Sequence, residues 1–450
     1  MSDAFRGRRV VVLGAGVAGR AAAEALAAEG ASVVITDVRD AGAIGDVSGL
    51  EALGADVRLG RHDPSDLDGA DLLVASPGIP PSAEVFSWAR ERGVPAWGEL
   101  ELGARLATAP YLAVTGTNGK TTATGMLAAC LQAGGIDAIA CGNIGHPFTT
   151  AARATCEALV VEVSSFQLDL QTSFHPVVSV LLNLAPDHLD HHGTFDAYRR
   201  AKAAIYARQT GPDVHVGNRD DAPAAAVSAA APCRIRWFLA GEPGEDEVGY
   251  ERDELVARID QRRVGLGIVE AGRAGYREDA AAAAAAALAF GVEPEAIAAG
   301  IATFEPPAHR GEVVAEIDGV RFIDNSKATN VHAALAAIAE VRDAVLIAGG
   351  RAKGQDLEPL REGARNLLAV VALGEASPEI ETVFAGRLPV TPVGSIEDAV
   401  WAAFALATRP GVVLLAPGCA SWDQFASYVE RGDRFAAAAR GLAAHKDANG

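Results

Sequence analysis

Three times along the chain, a run of β-branched and other apolar residues meets a glycine turn and continues into an alanine-rich helical pattern. The first is VVVLGAGVAG, leading into residues 20–28; the second is YLAVTGTNGKTT, leading into residues 123–132; the third is AVLIAGGRAKG, beginning at Ala344. Strands this continuously apolar are buried on both faces, so the recurrence predicts parallel sheets covered by helices. We therefore expect three α/β domains, spanning residues 1–107, 108–306 and 307–450, each around a mostly parallel sheet. LATAP (Leu106–Pro110) and FEPPAHR (Phe304–Arg310) read as the linkers, because proline stops a helix and stiffens a crossing. The polar stretch Gly241–Arg252 reads as a surface excursion. Ala280–Ala287 is an uninterrupted alanine run, and alanine's helix propensity and small side chain make it a buried helix.

Composition narrows the classes. No run of about 18 apolar residues passes without a charge or turn signal, so no membrane association is expected. The start, MSDAFRGRRV, lacks the apolar region of a secretory signal. Five scattered cysteines without a CxxC pair point to reduced thiols and a cytoplasmic protein. The net charge of −19 argues against nucleic acid as a partner. Any anionic ligand must then be held by locally placed cations and backbone amides.

The chemistry begins at the glycine turns. Gly14, Gly16 and Gly19 satisfy G-x-G-x-x-G and Asp37 ends the next strand, as in a Rossmann domain that binds a dinucleotide; tight helix-to-strand packing and a different ribonucleotide diphosphate are the alternatives. ASPGIP (Ala75–Pro80) is a second strand end that completes such a pocket. VTGTNGKTT (Val114–Thr122) is more specific. Gly116 and Gly119 admit backbone N–H groups to phosphate oxygens at a helix N-terminus, Lys120 reaches the terminal phosphates and the Thr121 hydroxyl is placed for Mg²⁺, so ATP is the expected ligand. Downstream, Glu162 is an oxygen ligand suited to Mg²⁺. The loop NLAPDHLDHHGT offers Asp187, His188 and Asp190, with His191 and His192 left on the surface. Lys202 lies on an amphipathic helix, where a lysine either snorkels to solvent or, if buried near a metal, loses its proton more readily.

Taken in order, TGTNGKTT, EVSSFQLD, NLAPDHLDHHGT with Lys202, DNSKATN, GGRAKG and APGCASWDQFASYVERGDRF resemble the bacterial Mur ligases over nearly the whole chain. The resemblance implies a Rossmann-like first domain, a P-loop ATPase-like central domain and a Rossmann-like third domain. It implies an ATP-dependent ligase that adds D-glutamate to UDP-N-acetylmuramoyl-L-alanine (UDP-MurNAc-L-Ala), working as a monomer. Gly14, Val17, Asp37, Arg39, Ser76, Gly78 and Asn143 would bind the sugar nucleotide. Gly116, Thr117, Asn118, Gly119, Lys120, Thr121, Thr122, Arg310 and Asn325 would bind ATP. Two Mg²⁺ ions would sit among Thr121, Glu162, His188 and Lys202, the lysine being carbamylated; Lys120, His188 and Lys202 would be catalytic. Lys327, Thr329, Lys353, Ser421 and Tyr428 would hold glutamate. Two departures stand out: Asn325 occupies a slot where many relatives carry an acid, and YREDAAAA replaces a His-Asn pair near the adenine, with Glu278 or Asp279 as candidate substitutes.

Overall fold

The computed structural model describes residues 3–80, 82–269 and 275–447. They form two compact units. The first comprises Met1–Leu184, Arg199–Val269 and Glu278–Phe304; the second comprises Ala185–Tyr198, Glu270–Arg277 and Glu305–Gly450.

The first unit contains two sheets. One comprises β1 (Arg9–Leu13), β2 (Ser32–Asp37), β3 (Asp56–Leu59), β4 (Leu72–Ala75) and β5 (Ala96–Gly98), in the order β3-β2-β1-β4-β5. Every pair is parallel, and the order reverses between β1 and β4, so a crevice opens at their carboxyl ends. The other comprises β6 (Tyr111–Thr115), β7 (Ala138–Gly142), β8 (Ala158–Glu162), β9 (Val178–Leu181), β10 (Val214–Asn218), β11 (Arg234–Phe238), β12 (Glu247–Glu251), β13 (Glu254–Ile259) and β14 (Arg262–Ile268). Its order is β14-β13-β12-β11-β10-β9-β6-β8-β7. Pairing is parallel from β7 through to β12 and antiparallel from β12 to β14.

The expected surface excursion at Gly241–Arg252 is therefore wrong in its second half, where β12 buries Val248, Gly249 and Tyr250. The alternation in EVGYE is short and flanked by acids, and the sheet supplies the partners that make it a strand. The alanine run behaves as expected: Ala280–Ala287 are all buried in the helix Tyr276–Phe290. Gly300, in the helix Pro294–Thr303, lies so close to the backbone of Cys130 that a Cβ there would collide with it. The helix Lys120–Ala133 is thus seated backbone to backbone against its neighbour.

The second unit is organised on β15 (Glu312–Ile317), β16 (Val320–Asp324), β17 (Ala344–Gly349), β18 (Leu367–Leu373), β19 (Val390–Val393) and β20 (Gly411–Gly418), in the order β15-β16-β20-β17-β18-β19. Only the β15–β16 pair is antiparallel. One apolar core lies under the helices Val331–Ala339 and Ser377–Phe384, the other under Ile396–Leu406 and Tyr428–Asp447. The chain leaves β17 toward the first core and β20 toward the second, so the loops after these adjacent strands diverge and open a crevice. Among the described residues no helix is long and apolar enough to cross a membrane. The five cysteines are free thiols, and burial pushes Cys130 and Cys419 up to about 12.

Candidate active site

In the first sheet, Gly14 has φ +88° and Gly19 presses against its carbonyl, so the turn after β1 needs both glycines. The Ser76 hydroxyl, after β4, donates to Gly14 O at 3.3 Å, closing the β1/β4 crevice from the other side. Asp37 accepts from Ala15 N at 2.8 Å and from the Arg39 backbone and guanidinium, whose Nη2 lies 2.7 Å away. The Arg39 hydrogen bond outweighs burial and holds the Asp37 carboxyl well below the usual range. Val17 opens the helix beyond this turn with its side chain exposed, and Gly78 lies in the turn after β4.

In the second sheet, β6 runs into the loop Gly116–Gly119 and then the helix Lys120–Ala133, whose free N–H groups and dipole make an anion site. Gly119 has φ +83°, and a Cβ there would strike the buried Asp279 carboxylate. Asp279 therefore packs against the phosphate loop. Lys120 Nζ donates to Gly116 O at 2.9 Å and Thr117 O at 2.8 Å, which keeps the ammonium over the loop. Asn183 supports the loop from below: its backbone carbonyl accepts from Thr117 N at 3.0 Å and its side-chain oxygen from Asn118 N at 2.8 Å. Sequence reasoning quoted this asparagine and gave it no role; its place two residues past the end of β9 is the available signal. Thr121 and Thr122 form the first turn of the helix.

Glu162 ends β8 in register with Val114 of β6, beside the start of the loop. Its side chain is buried: Oε1 accepts from Asn143 Nδ2 at 2.9 Å, and Oε2 has no hydrogen-bond partner among the described residues. A buried carboxylate oxygen without a donor is costly unless a cation meets it, and a hard divalent ion fits it. Lys202 is 1 % exposed, so it does not snorkel. Its Nζ donates to Thr115 Oγ1 at 3.1 Å, and that hydroxyl donates to Val163 O at 2.7 Å. The fold thus gathers Lys120, Glu162, Asn143 and Lys202 around the carboxyl ends of β6 and β8. Glu278, beside Asp279, has its carboxyl pushed up by burial and by nearby Asp220 and Asp221.

The second unit carries the remaining candidates. His188 has φ +53°; its backbone N–H donates to Asp187 Oδ1 at 2.9 Å. His191 and His192 are half-buried rather than on the surface, and the His192 ring meets Tyr198 edge-on at 5.4 Å. Lys353, with φ +55°, places Nζ 3.3 Å from Asp187 Oδ1. Lys327 Nζ sits 4.0 Å from the Tyr428 ring centroid, a cation–π contact. Thr329 N donates to Lys327 O at 2.8 Å, Ser421 is buried at the loop after β20, and Arg310 is half-buried in the segment leading into β15. A cavity of about 550 Å³ opens beside Lys353, walled by Arg351, Glu375, Asp190 and the exposed Trp422.

Two features here were not visible in the sequence. Asp324, which precedes Asn325, is fully buried and its oxygens are engaged internally, one by His309 Nδ1 at 2.7 Å and the other by Ser326 N at 2.9 Å. The other is Arg431, 1 % exposed, which donates to Ser326 Oγ and O (3.0 and 2.8 Å), Cys419 O (3.1 Å) and Gly349 O (3.4 Å). One guanidinium thereby ties the end of β17 to the loops after β16 and β20, and the loops after these three strands carry the candidate glutamate-holding residues. Burial pulls Arg431 down to about 10.

Three α/β sheets, with a phosphate loop on the second in chain order and a crevice at the carboxyl ends of the first and third, are the frame of a nucleotide-binding α/β enzyme. The Mur ligase middle domain matches residues 114–287, and the MurD-like N-terminal domain of Mur ligases matches residues 8–98. The chain belongs to the Mur ligase family. It is 44 % identical to the UDP-N-acetylmuramoylalanine–D-glutamate ligase of Frankia casuarinae, over 98 % of this chain and 95 % of that one. The protein of the same name from Streptomyces avermitilis is 41 % identical over 98 % and 99 %. Among solved structures, the UDP-N-acetylmuramate–alanine ligase MurC of Thermotoga maritima shares the fold at a TM-score of 0.59 and 16 % identity, covering 97 % of this chain and 99 % of that one. The Thermotoga maritima MurF ligase in complex with ADP also has a TM-score of 0.59, at 17 % identity and with 98 % and 96 % covered.

Proposed function

We propose that the chain joins D-glutamate to UDP-N-acetylmuramoyl-L-alanine at the expense of ATP, in the cytoplasm and as a monomer, with domains at 1–107, 108–306 and 307–450. One observation carries this reading. A buried lysine and a buried carboxylate with a partnerless oxygen converge at the root of a phosphate loop, an arrangement suited to metal-assisted phosphoryl transfer.

The alanyl carboxylate oxygen attacks the γ-phosphorus of ATP, ADP leaves, and an acyl phosphate forms. Lys120 and the N–H groups of Gly116–Thr122 neutralise the charge that builds on the transferred phosphoryl group. Mg²⁺, when bound, would supply Lewis-acid stabilisation of the phosphate oxygens; Glu162, Thr121, His188 and a carbamylated Lys202 would hold it, the carbamate offering the oxygen that a hard cation prefers. The glutamate ammonium gives one proton to solvent, and the unprotonated nitrogen then attacks the acyl carbon. The carbon–oxygen bond to phosphate breaks, inorganic phosphate leaves and the nitrogen sheds its proton to solvent. Lys327, Thr329, Lys353, Ser421 and Tyr428 hold the two carboxylates of glutamate. Gly14, Val17, Asp37, Arg39, Ser76, Gly78 and Asn143 hold the sugar nucleotide, while Arg310 and Asn325 complete the ATP site.

Phosphate release from ATP, measured with UDP-MurNAc-L-Ala and each glutamate enantiomer, tests the reading. Release that requires both the sugar nucleotide and D-glutamate is expected. Release indifferent to both ends the ligase proposal, and release with L-glutamate alone ends the stereochemical one.

A further inference from the structure

We infer that Asp187 is the residue that receives the ammonium of the incoming amino acid, and that its ion pair with Lys353 is a placeholder which the substrate splits. This rests on the ligase reading above.

The Asp187 and Lys353 side chains are only 10 % and 12 % exposed and lie 3.3 Å apart. The Asp187 carboxylate is also oriented by Asn330 Nδ2 at 3.4 Å on Oδ2 and by the His188 backbone N–H at 2.9 Å on Oδ1. Its position is therefore fixed independently of the lysine. Lys353 borders the cavity after β17, and Asp190, three residues along from Asp187, lines the same cavity.

The substrate chemistry then selects a role. An amino acid arrives as a carboxylate and an ammonium about one carbon apart, and a buried ion pair is its complement. When a substrate carboxylate takes Lys353, the Asp187 carboxylate loses its ammonium partner in a poorly solvated place and keeps the longer contact of Oδ2 with His188 Nε2 at 3.7 Å, so a second close cation lowers the cost. The substrate's own ammonium meets that need, so one neutral pair becomes two and no buried charge is stranded. A dicarboxylic acid without the amine brings an anion toward Asp187 with no new cation and is disfavoured. Asp187 thus selects amino acids over simple diacids, and it places the nitrogen beside the carboxylate-holding residues before the attack.

The test perturbs the residue and the ligand together. Steady-state phosphate release gives KM for D-glutamate and for ATP, and glutarate, which lacks the amine, serves as a competitive inhibitor with respect to D-glutamate. Asp187→Asn keeps the side chain's size and its acceptor oxygen for the His188 N–H, so the loop is retained. The expected result is a rise of about tenfold or more in the KM for D-glutamate, the scale of one charge-assisted hydrogen bond, with the glutarate inhibition constant unchanged or lower and the ATP KM steady. Asp187→Glu, which restores the charge, is expected to recover part of the preference for D-glutamate over glutarate. A merely structural role weakens both ligands together, and equal weakening overturns the assignment, as does an unchanged ratio. Wild-type phosphate release indifferent to D-glutamate overturns the ligase reading and this assignment with it.

Discussion

Lowering the pH from 7 to 5 is expected to destabilise the first unit through one residue, His215. It lies on β10, fully buried, with Nδ1 2.7 Å from Ser179 Oγ and Nε2 2.9 Å from Ser228 Oγ. Ser179 donates its own proton to Gln209 Oε1 at 2.7 Å, so it accepts from Nδ1–H, and the neutral imidazole accepts at Nε2 from Ser228. The Tyr206 ring packs edge-on at 4.8 Å. No carboxylate is among these partners, and burial pulls the imidazole from 6.5 down to about 3. Because the folded pKa is depressed, the unfolded chain binds the extra proton first: stability is intact above pH 6.5 and is lost as the pH falls from there toward 3. Between pH 7 and 5 the linkage relation gives a loss of about 2 kcal/mol from this histidine alone. Urea unfolding followed by circular dichroism at both pH values, for the wild type and for His215→Gln, isolates it. The variant starts less stable at pH 7, because it repacks a polar cluster, but its drop on acidification is smaller by about 2 kcal/mol. Equal drops in the two proteins refute the reasoning.

Three further outcomes follow from the site. Lys120→Ala is expected to lower phosphate release by about a hundredfold or more, through lost charge stabilisation, and near-wild-type turnover contradicts its role. Lys202→Ala is expected to lose activity and to regain part of it with added formate or acetate, which supply the missing oxygen; a rate that does not respond to them counts against a carbamate. Arg431→Lys keeps a positive charge but not the five-donor fork, leaving carbonyls among Ser326, Cys419 and Gly349 unmet. It is expected to lower unfolding stability by about 2 kcal/mol and to raise the glutamate KM more than the ATP KM, and an unchanged glutamate KM refutes its hold on those loops.

The repeated strand–glycine–helix pattern and the phosphate loop were legible because each is written in consecutive residues. Glu162 was also legible, as an acid at a strand end. The rest depends on what the chain brings together. Whether Lys202 snorkels or is buried turns on the neighbouring strand ends that enclose it, and no local pattern encodes them. Arg431 looks like one more charge in a helical SYVERGDRF run, and only the convergence of three distant loops turns it into a tie. EVGYE was passed over because its alternation covers just five residues, too short to outweigh the acids and glycines around it. Asp324 and His309 are far apart in any motif, yet they meet at 2.7 Å and so remove the acid that precedes Asn325 from the list of groups able to reach a ligand.

The backbone-to-backbone seat of Gly300 against Cys130 has a practical corollary. With no side chain between the two helices, there is no slack from which the phosphate-loop helix could retreat, and its row of amide donors acts as a fixed anvil. A larger side chain at position 300 is therefore expected to push on the helix that begins at the phosphate loop, so a change in this interior contact is felt at the nucleotide site.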